Sequence, residues 1–341
     1  MTDTLNRASN QEYYDRVAAL STVPFWRLAE MHEPSGPERP HVWRWDEVVP
    51  ELLRSQHLDD ESSGELQRRA LLLRNPGLTP PAFGATTTLV AAYQMLLPGE
   101  SAPVHAHSFS ALRFGSSGGD ARMVVDGQRV PMHPGDLVLT PAWCWHGHVH
   151  TGGDEPVVWF DGLDVPLLVA LRAGFYEDAS STFDQSAICD STGTEATGLG
   201  LVPAGRRVDR HSPVRRYPWD EAYPALQRLL AMSDGDAVLE YRNPVTGGPA
   251  LATIACSLRG VAAGSRTSPR RETASSVRFV ARGAGTLVID GQTFDVGPND
   301  VIAVPAWRWH EIRAGHEELV VFEISDRPVH DALGLYRAEA A

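Results

Sequence analysis

The sequence predicts an all-β protein made of two jelly-roll barrels that arose by internal duplication, with a helical N-terminal arm and an inter-barrel linker. Three observations predict it. Short β-rich runs such as Thr88-Leu89-Val90 and Met123-Val124-Val125, punctuated by glycine and proline, fill residues 86–169 and return near Leu251. Val125-Asp126-Gly127-Gln128 recurs as Ile289-Asp290-Gly291-Gln292, and Pro141-Ala142-Trp143-x-Trp145-His146 as Pro305-Ala306-Trp307-x-Trp309-His310, both 164 residues later. Arg113-Phe114 recurs as Arg278-Phe279, one residue out of step, and repetition in a constant order marks a duplication. Between the two copies the β pattern is lost.

In chain order, residues 1–85 form the arm. Tyr14, Val17 and Leu20 have helical spacing within 11–23, and Pro24, Pro34, Pro37 and Pro40 then break it. Val48 to Leu53 reads as a further helical turn with Asp46 as its N-cap. The arm is expected to lie over the barrel. Barrel one spans 86–169, with Asp126-Gly127 as a hairpin turn and Val157-Val158-Trp159-Phe160 as a strand leading into Asp161-Gly162-Leu163-Asp164. Residues 170–245 are linker and helix: 179–215 is rich in Ser, Thr, Gly, Asp and Arg, as expected of a linker or lid, and Leu226 to Met232 looks helical. Barrel two spans 246–327, and 328–341 is a tail.

Composition narrows the partners. All 30 basic residues are arginine, so lysine Schiff-base chemistry and a lysine phosphate loop are excluded. A net charge of −13 argues against nucleic acid and acidic membranes as partners. An anionic ligand would have to be held by arginine, metal or backbone in a locally positive pocket. Cys144, Cys189 and Cys256 are scattered, which makes neither a disulfide framework nor a zinc-finger spacing and points to a reducing compartment. The N-terminal residues lack an apolar signal core, and the chain reads as cytoplasmic.

The chemistry centres on 99–146. Gly99 precedes His105-x-His107 by six residues, and Gly135, Pro141 and His146 follow at intervals of six and five. His105 and His107, two apart on an extended strand, point the same way, and the turn after 137–140 can present His146 beside them. Three neutral imidazoles would hold a divalent transition metal and leave coordination positions open; the alternative is a set of metal-free barrel histidines. His148 and His150 alternate with His146; His150 reads as a solvent-exposed loop residue, while His148 is either exposed or part of the site. Arg113 lies eight residues after His105, where a guanidinium could grip a carboxylate in two-point fashion. The alternative for Arg113 is a barrel-mouth salt bridge with Asp161 or Asp164. Aligned on the Arg-Phe pair, His105 and His107 become Arg270 and Glu272 in the second copy. Arginine stays protonated and cannot ligate a metal, so one metal per chain is expected, in barrel one.

Taken together, Gln94-x-x-x-Pro98-Gly99-Glu100-x-Ala102-Pro103-x-His105-x-His107, Ser110-Ala111-Leu112-Arg113-Phe114, Pro131-Met132-x-Pro134-Gly135-Asp136, Trp143-x-Trp145-His146-x-His148 and Trp159-x-Asp161-Gly162-Leu163-Asp164 resemble the gentisate 1,2-dioxygenase family. This bicupin group includes salicylate and 1-hydroxy-2-naphthoate ring-cleaving relatives. The resemblance covers roughly 40–325, with Arg69, Leu72 and Asn75-Pro76-Gly77 on one side and Tyr241-x-Asn243-Pro244-x-Thr246-Gly247 on the other. It implies Fe(II) on His105, His107 and His146, with substrate contacts from Arg69, Gln94, Arg113, His148 and Asp161. Arg113, His148 and Asp161 would be the catalytic group. Ala111 and Leu112 stand where a cupin glutamate ligand is customary. Ala106 replaces an arginine common in the family, Gly147 replaces an aspartate, and 115–119 departs from the usual Glu-Gly run.

The activity implied is extradiol-type cleavage of gentisate by O2 between its carboxyl- and hydroxyl-bearing carbons, giving maleylpyruvate. Salicylate, a substituted salicylate or 1-hydroxy-2-naphthoate are the alternative substrates. A non-catalytic cupin that binds an aromatic acid, and a metal-dependent isomerase or decarboxylase, are the readings from other classes. The resemblance also implies a homo-oligomer, with a tetramer favoured.

Overall fold

The computed structural model describes residues 2–28, 33–58, 69–115, 117, 120–180 and 211–341. The expected linker or lid at 179–215 therefore falls largely outside the described residues, as does Cys189. Residues Met1–Ser35 form one unit, and Gly36–Ala341 the other. In the first, the helix runs Thr2–Ala19 and a single 3-10 turn spans Phe25–Arg27, whose Arg27 guanidinium lies 3.6 Å from the Tyr14 ring centre.

The second unit holds both barrels, and each is a six-stranded sheet facing a five-stranded one. In barrel one the larger sheet runs, by neighbouring strands, Arg216–Tyr217, Leu137–Thr140, Ala111–Gly115, Val157–Leu163, Val90–Leu96 and Arg69–Leu72. The smaller runs Tyr176–Asp178, Ser101–His107, His146–Gly152, Asp120–Val125 and Gln128–Met132. Barrel two repeats this with Ser276–Arg282, Val301–Val304, Leu319–Ser325 and Ala255–Val261 in its larger sheet, and Arg270–Glu272 beside His310–Ala314 in its smaller one. The Asp126-Gly127 turn forms as expected, with φ of 46° and 79°, and Asp290 (48°) and Gly291 (79°) match it. Positive φ at both central residues is the two-residue hairpin geometry that suits strand twist.

The two larger sheets bury their outer faces against each other. Phe114 stacks on Phe322 at 4.2 Å between ring centres, and Phe160 meets Phe279 at 5.4 Å. Aromatic residues bury much apolar area and pack with defined geometry. Phe114, Phe160, Phe279 and Phe322 are almost wholly enclosed, so the interface between barrels is a true core.

Segments expected to lie outside the barrels are woven into them, and crosswise. His41–Trp43 pairs with Val301–Val304 of barrel two, and the helix that follows it, Trp45–Arg54, starts on Asp300: the Trp45 amide donates to Asp300 Oδ1 at 2.9 Å and Arg44 Nη1 to Oδ2 at 2.8 Å. Arg216–Tyr217 pairs with Leu137–Thr140 of barrel one, and helix Trp219–Leu230 starts on Asp136: the Trp219 amide donates to Oδ1 at 2.9 Å and Arg216 Nε to Oδ2 at 2.6 Å. The two helices share Trp-Asp-Glu-x-x-Pro at 45–50 and 219–224. Each copy thus lends its leading strand and helix to the other barrel. Gly135, at φ 82°, lets Trp219 approach, since a Cβ there would lie 2.5 Å from its ring.

Several expectations change accordingly. Asp46 is in the first helical turn; the N-cap position is Arg44, which gives no side-chain cap, and the free Trp45 amide is taken by Asp300 far along the chain. Residues 36–85 are not a separate arm, since Arg69–Leu72 pairs with Val90–Leu96. Barrel two takes in Asp236–Tyr241, upstream of 246, and Ala338–Ala340 of the tail pairs with Arg270–Glu272. The helix before barrel two begins at Trp219 and ends at Leu230, not at 226–232.

Candidate metal centre

His105 and His107 leave the strand Ser101–His107 on one face, and His146 opens the neighbouring strand directly opposite His105. One nitrogen from each of the three rings lies within 4.8 Å of the others, and all three side chains are buried. The rings are oriented through their other nitrogens. Nδ1 of His105 lies 2.9 Å from the Pro103 carbonyl, that of His107 2.8 Å from Phe109, and that of His146 2.9 Å from Cys144. Each carbonyl can only accept, so each Nδ1 carries the proton and Nε2 presents its lone pair. His146 Nε2 is buried with no hydrogen-bond partner. Burial and the nearby Arg113 push the His146 pKa well below its usual value, so it stays neutral. An orphaned lone pair on His146 beside two further buried imidazoles fits a transition-metal cation.

Beside this triad lies a buried polar cluster. Arg113 Nε is 3.1 Å from Asp161 Oδ1, with both residues almost wholly enclosed. Arg113 Nη1 donates to Thr140 Oγ1 at 2.5 Å, and Nη2 lies 3.4 Å from His148 Nε2. His148 is 6.1 Å from His146, ring to ring, which joins the cluster to the triad. Trp159 Nε1 donates to Asp161 at 3.0 Å while its ring stacks on His148 at 5.4 Å. Burial pushes Asp161 up to about 6 against the pull of Arg113, and burial also lowers Arg113. Holding two charged groups so far from water is costly unless they are paired; the guanidinium lies against Asp161, Thr140 and His148, although its Nε makes no hydrogen bond of good geometry.

The structure therefore brings together Arg113, His148 and Asp161. Of the two salt bridges weighed for Arg113, the one to Asp161 forms; Asp164 instead accepts from the Ser110 amide at 2.9 Å and from Thr253 Oγ1. Gln94 is buried on the same face, opposite Trp159 in the sheet. Arg69 is not brought into the cluster. It pairs with Met95, one residue along from Gln94, so alternation turns it to the other face, where its guanidinium bonds Glu100. His150 is not an exposed loop residue: it is buried on the strand, with Nε2 2.9 Å from the Glu155 carbonyl. Thr140 and Tyr176, which stacks on His105 at 5.3 Å, belong to the site and carry no motif of their own. Only their register beside Ala111 and His107 would point to them.

A cupin-domain family model matches residues 92–166 and 258–325. The chain is 36% identical to gentisate 1,2-dioxygenase of Streptomyces sp. over 99% of this chain and 98% of that protein. It is 35% identical to 5-aminosalicylate 1,2-dioxygenase of Comamonas sp., over 96% and 89% respectively. The protein belongs to the gentisate- and salicylate-type ring-cleaving 1,2-dioxygenase family. Within the family, the solved salicylate 1,2-dioxygenase of Pseudoaminobacter salicylatoxidans in an adduct with gentisate superposes with a TM-score of 0.88 at 32% identity, covering 97% of this chain and 94% of that one. The bicupin architecture and the enzyme class expected from the sequence both hold.

Proposed function

We propose that this enzyme is an Fe(II)-dependent dioxygenase that cleaves the ring of a 2-hydroxybenzoate-type acid, gentisate in the first instance, with His105, His107 and His146 as the metal ligands. The observation that carries this reading is the joining of a buried three-histidine cluster to a buried guanidinium through His148. When bound, iron(II) supplies a centre at which O2 and the electron-rich ring react, with the substrate providing the electrons.

The chain's own residues then bind and orient. The three backbone carbonyls fix the ligand nitrogens before any metal arrives, so little reorganisation is needed. Arg113 receives the substrate carboxylate. Asp161 and Thr140 hold its fork in one plane, and a planar two-point contact sets ring orientation as well as charge. His148, between Arg113 and the triad, is placed to hydrogen-bond an oxygen of the substrate. Trp159 backs both His148 and Asp161 and keeps water from them. Gln94 completes this face. Arg69, held by Glu100, stands outside the clamp. The assembly proposed is a homo-oligomer, a tetramer in the first instance, to be read by sedimentation.

A cytoplasmic location is proposed with it: Cys144 and Cys256 form no disulfide, and among the described residues no helix is long and apolar enough to cross a membrane.

Oxygen uptake by the iron-loaded enzyme, measured against gentisate, salicylate, 5-aminosalicylate and 1-hydroxy-2-naphthoate, tests the reading. Uptake with loss of the aromatic absorbance is expected with at least one, and gentisate should give a product absorbing as maleylpyruvate. Binding of these acids without oxygen uptake would instead favour the non-catalytic reading.

A further inference from the structure

Barrel two keeps the plan of the active site with the chemistry changed. Arg270 stands opposite His310 as His105 stands opposite His146. The Glu272 backbone carbonyl accepts the Trp307 amide at 2.7 Å, as the His107 carbonyl accepts that of Trp143. Arg278 pairs with Glu323 across the two strands that correspond to those joining Arg113 to Asp161, with Nε 2.5 Å from Oε2. Arg259 takes the place of Gln94: it faces the residue two before Glu323, as Gln94 faces the residue two before Asp161. Where barrel one gathers imidazoles for a cation, barrel two gathers guanidinium groups.

These groups border a real space. A cavity of about 620 Å3 opens in barrel two, with Arg259, Arg270, Glu272 and Glu323 at its polar end. Its volume is within the range of about 300–1,000 Å3 typical of small-molecule sites. Val238, Tyr241, Cys256 and Pro328 give it apolar walls, and the oppositely charged Glu240, Arg242, Arg327 and Asp331 also line it. The C-terminal strand closes one side, with Tyr336 Oη donating to Glu272 at 2.8 Å.

The polar end is set for an anion. Arg259 uses Nη1 on Asp236, and Arg270 directs Nε at His310, 3.4 Å away, and Nη2 at Glu272, 3.6 Å away. Five N–H donors per guanidinium exceed these contacts. Arg278 does not itself line the cavity, but it is fully enclosed and its Nη1 has no hydrogen-bond partner among the described residues. The balance of charge agrees. Burial lowers Arg259 to about 10, and the neighbouring Arg270 adds to that shift. Burial alone would raise Glu323, but Arg278, Arg270 and Arg259 together hold it at about 2, fully ionised.

We propose that barrel two is a second, metal-free binding site for a small organic acid, whose carboxylate is taken by Arg259 and Arg270 and whose apolar body fills the cavity. A planar fork matches a carboxylate in two-point fashion. The acidic side chains at the same end, Glu272 and Glu323, disfavour a more highly charged anion such as phosphate. The site does not depend on the reaction assigned to barrel one.

The test is calorimetric titration of the iron-loaded enzyme with benzoate and with salicylate under anaerobic conditions, where no turnover occurs. Two equivalents of acid per chain are expected. Arg259→Gln and Arg270→Gln should each weaken one equivalent by about tenfold or more and leave the other, along with kcat/KM at low substrate, unchanged. Ala255→Phe keeps the arginines, fills the cavity and should abolish the same equivalent, which separates blocked binding from lost charge. His105→Ala combined with Arg113→Ala should remove only the barrel-one equivalent. Thermal melts confirm that each variant is folded. A single equivalent that vanishes with the barrel-one variant, two equivalents indifferent to all three barrel-two variants, or displacement of benzoate by inorganic phosphate at equal concentration would each overturn the proposal.

Discussion

The two barrels are the same scaffold put to different electrostatic use. Both keep the hairpin at Asp126 or Asp290, whose carboxylate accepts the Trp145 or Trp309 amide at 2.8 or 3.0 Å. Both keep a positive φ at the tryptophan of the Pro-Ala-Trp turn, 65° at Trp143 and 61° at Trp307, which aims the following histidine inward. Both bury an arginine–carboxylate pair on the facing sheet. They differ chiefly on one strand, where His105 and His107 give way to Arg270 and Glu272. In barrel one the histidine opposite is left with an orphaned Nε2; in barrel two the same atom lies 2.9 Å from Arg278 Nη2 and 3.4 Å from Arg270 Nε. Two substitutions thus turn a place for a metal cation into a place already filled by cationic side chains. The scaffold is indifferent to which it carries.

The largest expected effect breaks that comparison at the metal. Elemental analysis should find one iron per chain. His105→Ala with His107→Ala should abolish both iron and activity, whereas His310→Ala should keep the iron, because Arg270 stands where a ligand would be needed and no three-ligand cluster forms around His310 among the described residues. Chelation should inactivate the enzyme, and ferrous iron should restore it. Two irons per chain would show that the arginine-filled barrel still binds metal.

The next effect separates the two buried arginines. Arg113→Ala should cost about 2–5 kcal/mol in transition-state stabilisation, read as kcat/KM of folded, iron-loaded enzyme. Arg113→Lys keeps the charge but loses the planar fork and should also be impaired. Arg278→Ala leaves Glu323 ionised and unpaired in the interior, so it should cost about 3–5 kcal/mol of stability while kcat/KM of the folded fraction holds. Arg113 has its own stability role, since Asp161 would likewise be stranded, and melts must accompany the kinetics. Equal losses of kcat/KM in both variants would dissolve the distinction between a substrate clamp and a structural pair.

What the sequence made legible follows from how local each feature is. The His-x-His spacing, the two-residue hairpins and the repeat at 164 residues are written in short stretches, and they led to the triad and to the loss of its counterpart at Arg270 and Glu272. Arg113, His148 and Asp161 were legible as a group through the family motifs, but the hold of Thr140 and Trp159 on them was not, because it depends on cross-strand register. The crossed arms were not legible at all. Asp300 caps a helix that begins 255 residues earlier, and no local propensity encodes such a partner. Arg69 shows the opposite failure: it sits at a family position, yet alternation and Glu100 turn it away.

A smaller effect concerns the seam between barrels, where Thr253 bonds Asp164 of barrel one and Thr88 bonds Asp326 of barrel two, the latter at 2.6 Å. Burial raises Asp164 from 3.8 to about 6. Below about pH 4 the carboxyl is protonated in folded and unfolded chains alike and has no effect on the balance. Between about 4 and 6 the unfolded chain ionises first, so stability falls as pH rises through this window and levels off above it. The total is on the order of 3 kcal/mol. Asp164→Asn keeps an oxygen to accept from Thr253 and should flatten that part of the profile, measured by urea unfolding from pH 4 to 7. An unchanged slope would place the titration elsewhere.

The smallest effect tests the exchange of arms itself. Asp136 and Asp300 do the same work for opposite barrels, each accepting a tryptophan amide at a helix start and an arginine from the strand before it. Each also accepts an amide of its own turn, His133 or Gly297, at 3.0 Å. Removing a capping carboxylate costs about 0.5–2 kcal/mol, and most of that is expected here because both residues are buried. Asp136→Ala and Asp300→Ala should therefore lower the melting temperature by similar amounts, and the double variant should lose about the sum, since the two sites share no partner. Amide exchange should sharpen this further. Asp300→Ala should loosen the helix Trp45–Arg54, which precedes barrel one in the chain, and Asp136→Ala the helix Trp219–Leu230, which precedes barrel two. If Asp300→Ala instead loosened Trp219–Leu230, and Asp136→Ala loosened Trp45–Arg54, the arms would be serving their own barrels, and the exchange would not be what holds the duplicated halves together.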